Sequence, residues 1–218
     1  MALAIFDLDN TLIAGDSDYL WGEFMASEGI VDADSFRQRN MEFYYQYESG
    51  ELDIHEYLAF CLEPLTRYSM EQLDSWHNRF MTEIIRPIML DKAKQLLDRH
   101  RKQGDHLMII TATNRFVTEP IAEEFGVDTL LAIDAEIQDG RYTGRVSGTP
   151  TFREGKVIRL NQWLEKNPDY SLIGSYFYSD SKNDLPLLEK VGHPFAVDPD
   201  PELESTAKGQ GWPVISLR

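Results

Sequence analysis

The chain has 218 residues, of which 42% are apolar and 27% charged, as in ordinary globular proteins. It carries 21 Lys and Arg against 37 Asp and Glu, and the resulting charge of −16 disfavours binding to nucleic acid or to an anionic membrane. The single cysteine, Cys61, excludes an intramolecular disulfide and favours a reducing compartment. Since neither a secretory signal nor a membrane span of about 18 apolar residues is readable, we expect a soluble cytoplasmic protein. The sequence is silent on the oligomeric state.

Short apolar runs that end in polar residues predict buried parallel strands at 3–6, 107–110, 176–178 and 194–197. Segments with helical spacing lie between the later runs, and one of them, at 117–125, is followed by Gly126 as a C-cap. In addition, Asp139-Gly140 predicts the turn of a hairpin within 135–145. The alternation after residue 87 predicts a doubly wound, mostly parallel α/β sheet.

The region from Asp16 to Arg86 interrupts this alternation, because its apolar residues follow a helical spacing throughout. Helices are predicted at 19–27, 36–47, 54–62 and 70–83. We therefore expect two domains. An α/β domain comprises residues 1–15 and 87–218, and an all-helical domain of residues 16–86 is inserted after the first strand.

Two pairs of carboxylates follow predicted strands. Asp7 and Asp9 come directly after the first strand, and Asp180 and Asp184 follow the strand at 176–178. Taken singly, each pair is explained by a purely structural role, since an Asp-x-Asp often forms a turn and Asp184 stands where aspartate caps a helix. Sites in open α/β sheets lie beyond the carboxyl ends of the strands, so all four carboxylates are expected at one edge. Such an oxygen-rich set favours Mg²⁺.

Two further polar groups stand at corresponding places. Thr-Ala-Thr-Asn at 111–114 lies between a strand and a helix, where backbone N–H groups bind anions, although it also reads as an ordinary N-cap. Lys156 is placed at the start of a helix, where the helix dipole disfavours a cation; alternatively it is an exposed lysine. A phosphate-binding P-loop is excluded, because no Ser or Thr follows the lysine.

Taken in order, Asp7-x-Asp9-x-Thr11, Thr111, Lys156 and Asp180-x-x-x-Asp184 resemble the four motifs of the haloacid dehalogenase-like hydrolases. The resemblance covers essentially the whole chain. The helical insertion is similar to the cap of the phosphoserine phosphatase branch, and residues 178–186 resemble its histidinol-phosphatase-like members. This resemblance implies a Rossmann-like core with a cap, and a Mg²⁺-dependent phosphatase that acts on a small phosphate ester through a phosphoaspartate.

The resemblance also implies a role for each motif residue. Asp7 would attack phosphorus, while Asp9 would protonate the leaving alkoxide and later activate water. The predicted metal ligands are Asp7, Asp9 through its backbone carbonyl, and Asp180, with Asn183 and Asp184 orienting them. Thr111 and Lys156 would hold the phosphoryl oxygens, which carry the charge that such a transfer must neutralise.

Substrate contacts are predicted from both parts of the chain. Asp16 occupies the offset from Asp7 at which phosphoserine phosphatases carry a glutamate for the substrate amine; alternatively, it only caps the next helix. Those enzymes also place an arginine in the cap for the substrate carboxylate, whereas 54–66 holds Cys61 near that place and no arginine. An amine that lacks a carboxylate, such as histidinol phosphate, is therefore favoured.

The remaining predicted substrate contacts are Ala112, Asn114, Tyr44 and Tyr47. Tyr44 or Tyr47 would stack on an imidazole, whereas Phe43, in the same stripe, is expected in the core. Three other functions stay open on the sequence alone: a phosphoserine phosphatase, a phosphomutase or phosphotransferase, and a non-catalytic metal-binding protein that interacts with a partner through its cap.

Overall fold

The computed structural model describes residues 2–218, except for the side chain of Glu48. In this part of the chain, seven strands form one sheet in the order β4-β3-β2-β1-β5-β6-β7. The strands are β1 Leu3–Phe6, β2 His106–Asn114, β3 Thr129–Gln138, β4 Arg141–Ser147, β5 Tyr176–Ser179, β6 His193–Val197 and β7 Val214–Ile215. All neighbouring pairs are parallel apart from β3 and β4. The predicted mostly parallel α/β sheet is confirmed.

Helices cover both faces of this sheet, so successive side chains of the central strand β1 pack into different cores. Ala4 and Phe6 belong to a core that α6 and α7 share, whereas Leu3 and Ile5 belong to one that includes residues of α8 and α10. These helices are α6 Asp91–Gln103, α7 Arg115–Phe125, α8 Glu154–Lys166, α9 Leu185–Leu188 and α10 Pro201–Gln210. Within residues 2–218, no helix combines the length and apolarity that a bilayer crossing requires.

The chain between β1 and β2 is helical, as predicted. It forms α1 Ser17–Ser27, α2 Ala33–Ser49, α3 Ile54–Leu62, α4 Met70–Phe80 and the short α5 Arg86–Ile88. A π-helical turn, Met81–Ile85, replaces the last residues of the helix predicted at 70–83. Aspartate side chains accept hydrogen bonds at the N-termini of α1, α2 and α3. This capping explains why each helix begins where it does.

The sheet extends beyond the predicted strands at its two ends. The predicted hairpin is confirmed, with Asp139 and Gly140 at φ 51° and 73°, which suits a type I′ turn. However, β3 begins at Thr129, where it pairs with β2 in parallel before it enters the hairpin. Neither this parallel half nor the two-residue β7 was predicted. β7 is too short to show a pattern, whereas the apolar run at 130–133 fits a buried strand and was missed.

Candidate active site

A cavity of about 510 Å³ lies at the carboxyl edge of the sheet, between the central strands and helices α1, α2 and α3. Eleven residues predicted for the site line it: Asp7, Asp9, Asp16, Tyr44, Tyr47, Thr111, Ala112, Lys156, Asp180, Asn183 and Asp184. They come from segments as far apart in the chain as Asp7 and Asp184. The fold therefore gathers these groups in one chamber, as parallel strands that share one edge predict.

Lys156 forms the buried floor of the chamber with two carboxylates. Its Nζ donates to Asp7 Oδ1 and to Asp184 Oδ2, each at 2.8 Å, and the lysine is only 4% exposed. Burial lowers the pKa of Lys156, but the charges of Asp184 and Asp7 outweigh it and raise this pKa overall. The ammonium group therefore stays charged, and the alternative of an exposed lysine is wrong.

Asp7 is the first residue after β1, and its backbone N–H donates to Tyr178 O at 2.9 Å. Burial raises the pKa of the Asp7 carboxyl to about 7, against the lowering influence of Lys156 and with a further rise from the charge of Asp184. Among the described residues, hydrogen bonds reach only Oδ1 of this carboxylate. Oδ2 is thus the oxygen available to an incoming group.

Asp184 does not act as a helix cap. Although it precedes α9, its side chain caps no backbone group of that helix. Instead, its carboxylate accepts from Lys156 and from Ser179 Oγ, the latter at 2.7 Å. The structural role suggested by the sequence for this residue, helix capping, is therefore wrong.

Asp180 is oriented by a residue that the motif contains but to which we assigned no role. Thr11 Oγ1 donates to Asp180 Oδ1 at 3.0 Å and accepts from the Asp180 backbone N–H at 3.1 Å. Burial and the nearby charges of Asp7 and Asp184 raise the pKa of Asp180 well above its ordinary value. Thr11 is fully buried, so this pair of hydrogen bonds is protected from water.

Asp9 is held through both of its carboxylate oxygens. The backbone N–H of Ser17 donates to Oδ1 at 2.6 Å, and Thr113 Oγ1 donates to Oδ2 at 2.9 Å. Burial, together with the charge of Asp16, raises the pKa of Asp9 to about 6, while the donors oppose that rise. A carboxyl group with such a pKa can exchange a proton near neutral pH.

Residues 111–113 form the wall of the chamber contributed by β2. Thr111 Oγ1 accepts from the Thr113 backbone N–H at 3.1 Å, and Thr111 O accepts from the buried Thr151 hydroxyl at 2.5 Å. Asn114, by contrast, does not lie in the cavity lining. Its Oδ1 caps α7 at Val117 N, and its Nδ2 donates to Asp18 Oδ1 at 3.3 Å. The direct substrate contact predicted for Asn114 is corrected accordingly, because the side chain is used in capping.

Two carboxylates face the chamber from the start of α1. Asp16 caps the helix by accepting from Tyr19 N at 2.9 Å and also lines the cavity, so its two predicted roles are compatible. Asp18, which sequence analysis missed, accepts from the Tyr57 hydroxyl at 2.8 Å. Burial raises the pKa of both carboxyls to about 6. This side of the chamber is therefore acidic.

Aromatic residues of α2 and α3 form another wall of the chamber. Phe43 is buried against Tyr57, with 5.3 Å between ring centroids, which confirms its predicted core position, but it also borders the cavity. The Tyr47 hydroxyl lies 3.3 Å from Ser181 Oγ, and Tyr44 is 38% exposed. Nearby, Asn40 Nδ2 is buried and has no hydrogen-bond partner among the described residues.

A Mg²⁺ site would have to be built from the oxygen donors of the chamber. Residues 2–218 contain no cluster of three or more His, Cys, Asp or Glu side chains arranged to hold a metal ion. The predicted set is smaller, since it consists of the Asp7 and Asp180 carboxylates and the backbone carbonyl of Asp9. Mg²⁺ commonly binds proteins through one or two carboxylates and keeps several waters, so these residues fit it.

The site also contains residues that the sequence did not single out. Asp18, Asn40, Tyr57, Phe152, Arg153, Ser181, Lys182 and Asp200 all line the cavity. Asp200 accepts from Lys182 N at 2.6 Å and also caps α10. In sequence these residues resemble ordinary helix and loop residues. No spacing signal distinguishes them.

The family model for haloacid dehalogenase-like hydrolases matches residues 4–189. Together with the sheet and the four motifs, this match shows that the chain belongs to the haloacid dehalogenase-like hydrolases. It is 47% identical over 219 residues to a histidinol-phosphatase of Neisseria meningitidis, a match that spans 99% of each chain. The protein is therefore a phosphatase that acts on phosphoric monoesters.

Other proteins are similar to this chain in sequence or in fold. A phosphoserine phosphatase of Mycobacterium tuberculosis is 30% identical over 220 residues, which cover 100% of this chain and 71% of the relative. A Bordetella pertussis protein, described as having unknown function, shares 47% identity and a TM-score of 0.93 over 100% of this chain and 99% of its own. A substrate-bound phosphoserine phosphatase gives a TM-score of 0.72 at 18% identity, over 100% and 93% of the chains, and supports the fold alone.

Proposed function

We propose that the protein is a cytoplasmic, Mg²⁺-dependent phosphatase that hydrolyses the phosphate ester of a small amine, with histidinol phosphate as the preferred candidate, through a phosphoaspartate on Asp7. Residues 16–86 serve as its cap. The observation that carries this proposal is the buried Lys156–Asp7 contact of 2.8 Å at the floor of a chamber that Asp16 and Asp18 also line. The floor suits a phosphoryl group, and the acidic side suits an ammonium group.

The reaction begins at Asp7. Its Oδ2 attacks phosphorus, the bond between phosphorus and the ester oxygen breaks, and Asp9 gives a proton to the departing alkoxide. Asp9 then takes a proton from a water molecule, which attacks phosphorus and releases inorganic phosphate with Asp7 restored. The pKa of about 6 for Asp9 suits both transfers, because neither protonation state is strongly favoured near neutral pH.

The remaining residues of the floor hold charge in place. Lys156 donates to Asp7 Oδ1 and places a cation beside the phosphoryl oxygens. Asp184 accepts a second hydrogen bond from the Lys156 ammonium group and so holds it in place. Thr111 presents a hydroxyl to the same oxygens. When bound by Asp7, Asp180 and the Asp9 carbonyl, Mg²⁺ supplies further positive charge against the negative phosphoryl group.

The cap side supports a substrate that carries an amine but no carboxylate. The described cavity-lining residues between positions 16 and 86 include two carboxylates, one amide and several aromatic rings, but no cation. A substrate carboxylate would therefore meet no opposite charge on this side, and Arg153 and Lys182, which line the cavity elsewhere, already donate to other groups. This favours an amine without a carboxylate over phosphoserine. The aromatic wall suits a flat ring.

A direct test assays the purified chain on histidinol phosphate, phosphoserine and phosphoethanolamine, first with EDTA and then with MgCl₂. We expect Mg²⁺-dependent phosphate release, highest kcat/KM for histidinol phosphate, and loss of activity in Asp7→Asn. The Asp32→Asn variant serves as control, since Asp32 caps α2 and does not line the cavity. Activity that survives both EDTA and Asp7→Asn would refute the mechanism.

The same panel distinguishes the other functions. A preference for phosphoserine, as the name of the Mycobacterium tuberculosis relative suggests, would replace the proposed substrate but keep the chemistry. Transfer of the phosphoryl group to an added sugar or alcohol in place of water would indicate a phosphotransferase. Binding of Mg²⁺ without turnover of any ester would indicate a non-catalytic protein.

A further inference from the structure

The turn that leads into α8 contains an arginine in a backbone conformation that favours glycine. Gly155 N donates to Phe152 O at 2.8 Å, and Arg153, the second residue of this turn, has φ 50° and ψ −121°. These angles are those of the first central residue of a type II′ turn, a position usually taken by glycine because a Cβ is strained there. Arg153 therefore keeps its side chain at a cost in backbone free energy.

The Arg153 side chain connects three separate segments of the chain. Its Nε donates to Asn183 Oδ1 at 3.0 Å, and its Nη2 donates to Gly50 O at 2.8 Å. Gly50 is the left-handed C-cap of α2, at φ 80°, and Asn183 lies between Asp180 and Asp184 on the motif that follows β5. The guanidinium group also lies 4.9 Å from the centroid of the Phe152 ring.

The same end of α2 has a second contact with the loop after β5, the Tyr47–Ser181 pair at 3.3 Å. Apart from Gly50, the residues of both contacts line the chamber. Arg153 provides the charge-assisted contact of the two, which is the stronger kind when the donor is a guanidinium group. Arg153 thus ties the end of α2 to the carboxyl edge of the sheet through a charged donor.

We infer that Arg153 is a positioning residue that holds the C-terminal end of α2 against Asn183 and thereby keeps the chamber closed around the substrate. The inference rests on the proposed phosphatase site. It explains why a strained turn carries a long cationic side chain three residues before Lys156, where glycine would fit the backbone without strain. It assigns Arg153 no contact with the reacting atoms.

The variant Arg153→Gly separates this role from a purely structural one. Glycine relieves the turn and removes both hydrogen bonds, so we expect a Tm equal to or above that of the wild type. At the same time kcat/KM for the best amine ester should fall by about 10- to 100-fold, mainly through KM, because the closed geometry is lost. A small aryl phosphate, which makes few contacts with the cap, should lose less.

Asp139→Gly is the matched control, because Asp139 also has a positive φ, of 51°, but lies in the exposed hairpin turn away from the cavity. It should leave kcat/KM unchanged. A second readout is hydrogen exchange of the amides of residues 46–52, which should become faster in Arg153→Gly and stay unchanged in Asp139→Gly. This readout needs no turnover, so it tests the positioning role even if the proposed catalytic residues are wrong.

Two results would overturn the inference. One is an Arg153→Gly protein with wild-type kcat/KM and unchanged exchange at residues 46–52. The other is a lowered Tm with loss of activity in proportion, since that would show a structural role alone. Failure of the proposed function looks different, because there Asp7→Asn would keep its activity.

Discussion

Lys156 and Asp7 are 149 residues apart in the chain, yet Lys156 Nζ donates to Asp7 Oδ1 at 2.8 Å in the buried floor of the chamber. The same ammonium group contacts Asp184, which is only 2% exposed. One cation thus keeps two buried carboxylates together. The contact between Lys156 and Asp7 therefore affects both the stability of the fold and the proposed reaction at Asp7.

Removal of the cation should destabilise the fold. In Lys156→Met, the buried carboxylates of Asp7 and Asp184 face each other without compensation, and we expect a loss of about 3–5 kcal/mol in the free energy of unfolding. Adding Asp184→Asn should restore part of this loss, because one of the two repelling charges is gone. Urea denaturation in EDTA measures both effects. Additive losses in the double variant would show that the two residues are not coupled.

The pH dependence of stability should change when Asp16 is replaced. Burial raises the pKa of Asp16 to about 6 from the ordinary 3.8, so between these pH values the folded state binds more protons than the unfolded state. The ionised carboxylate therefore costs stability above pH ~6, and this cost disappears as the pH falls towards ~4. Asp16→Asn keeps an N-cap and should raise the Tm by about 2–8 °C above pH ~7, with little effect near pH ~4.

Thermal melts of Asp16→Asn and the wild type in EDTA at the two pH values test this expectation. Asp32→Asn is the control, because Asp32 caps α2 in the same way but is exposed and its pKa is lowered by hydrogen bonds from Ser35. It should show no gain above pH ~7. A Tm for Asp16→Asn that stays at or below the wild-type value at both pH values would contradict the burial argument.

Asp16→Asn should also change substrate selection. Loss of an ionic partner for the substrate amine should raise KM for histidinol phosphate by about 10- to 100-fold, which corresponds to one hydrogen bond between charged groups. An ester without an amine should be hydrolysed as before. Steady-state kinetics with the two substrates measure the difference. Equal changes in KM for both esters would mean that Asp16 serves only as a helix cap.

Thr11 should control the affinity for the metal. Thr11→Val keeps the volume of the side chain but removes both hydrogen bonds to Asp180. We expect the Mg²⁺ concentration for half-maximal activity to rise about 10- to 100-fold, as for other residues that orient metal ligands. Thr118→Val is the matched control, since Thr118 is equally buried but donates to Asn114 O, outside the cavity lining. An unchanged Mg²⁺ requirement in Thr11→Val would remove Thr11 from the site.

The sequence predicted the site residues that lie at the ends of strands. Asp7, Thr111 and Asp180 follow or end short apolar runs, and parallel strands bring such residues to one edge regardless of their distance in the chain. The same logic placed the hairpin, because Asp139-Gly140 is a strong local turn signal.

The cap side could not be predicted in this way. Whether Asp18, Asn40 or Tyr57 faces the chamber depends on how α1, α2 and α3 pack against one another, and helical spacing alone does not determine that packing. For Asn114 the sequence predicted a substrate contact that the structure does not show. Its place at the end of β2 indicates a substrate contact, but the side chain is used at the N-terminus of α7.

Arg153 was missed for a different reason. A positive φ at a residue other than glycine leaves no signal in the sequence, because the strain becomes visible only in the backbone. The contacts that offset it join residues 50, 153 and 183, which no local pattern connects.

In the proposed mechanism, Asp7 carries the phosphoryl group between the two half-reactions. The most direct measurement quenches the wild-type enzyme with acid during turnover of its best ester in Mg²⁺ and maps the added phosphoryl group by peptide mass spectrometry. We expect the label on Asp7, and no label on Asp7→Asn or on the enzyme quenched in EDTA. A label on any other residue, or rapid turnover with no labelled enzyme at any quench time, would contradict it.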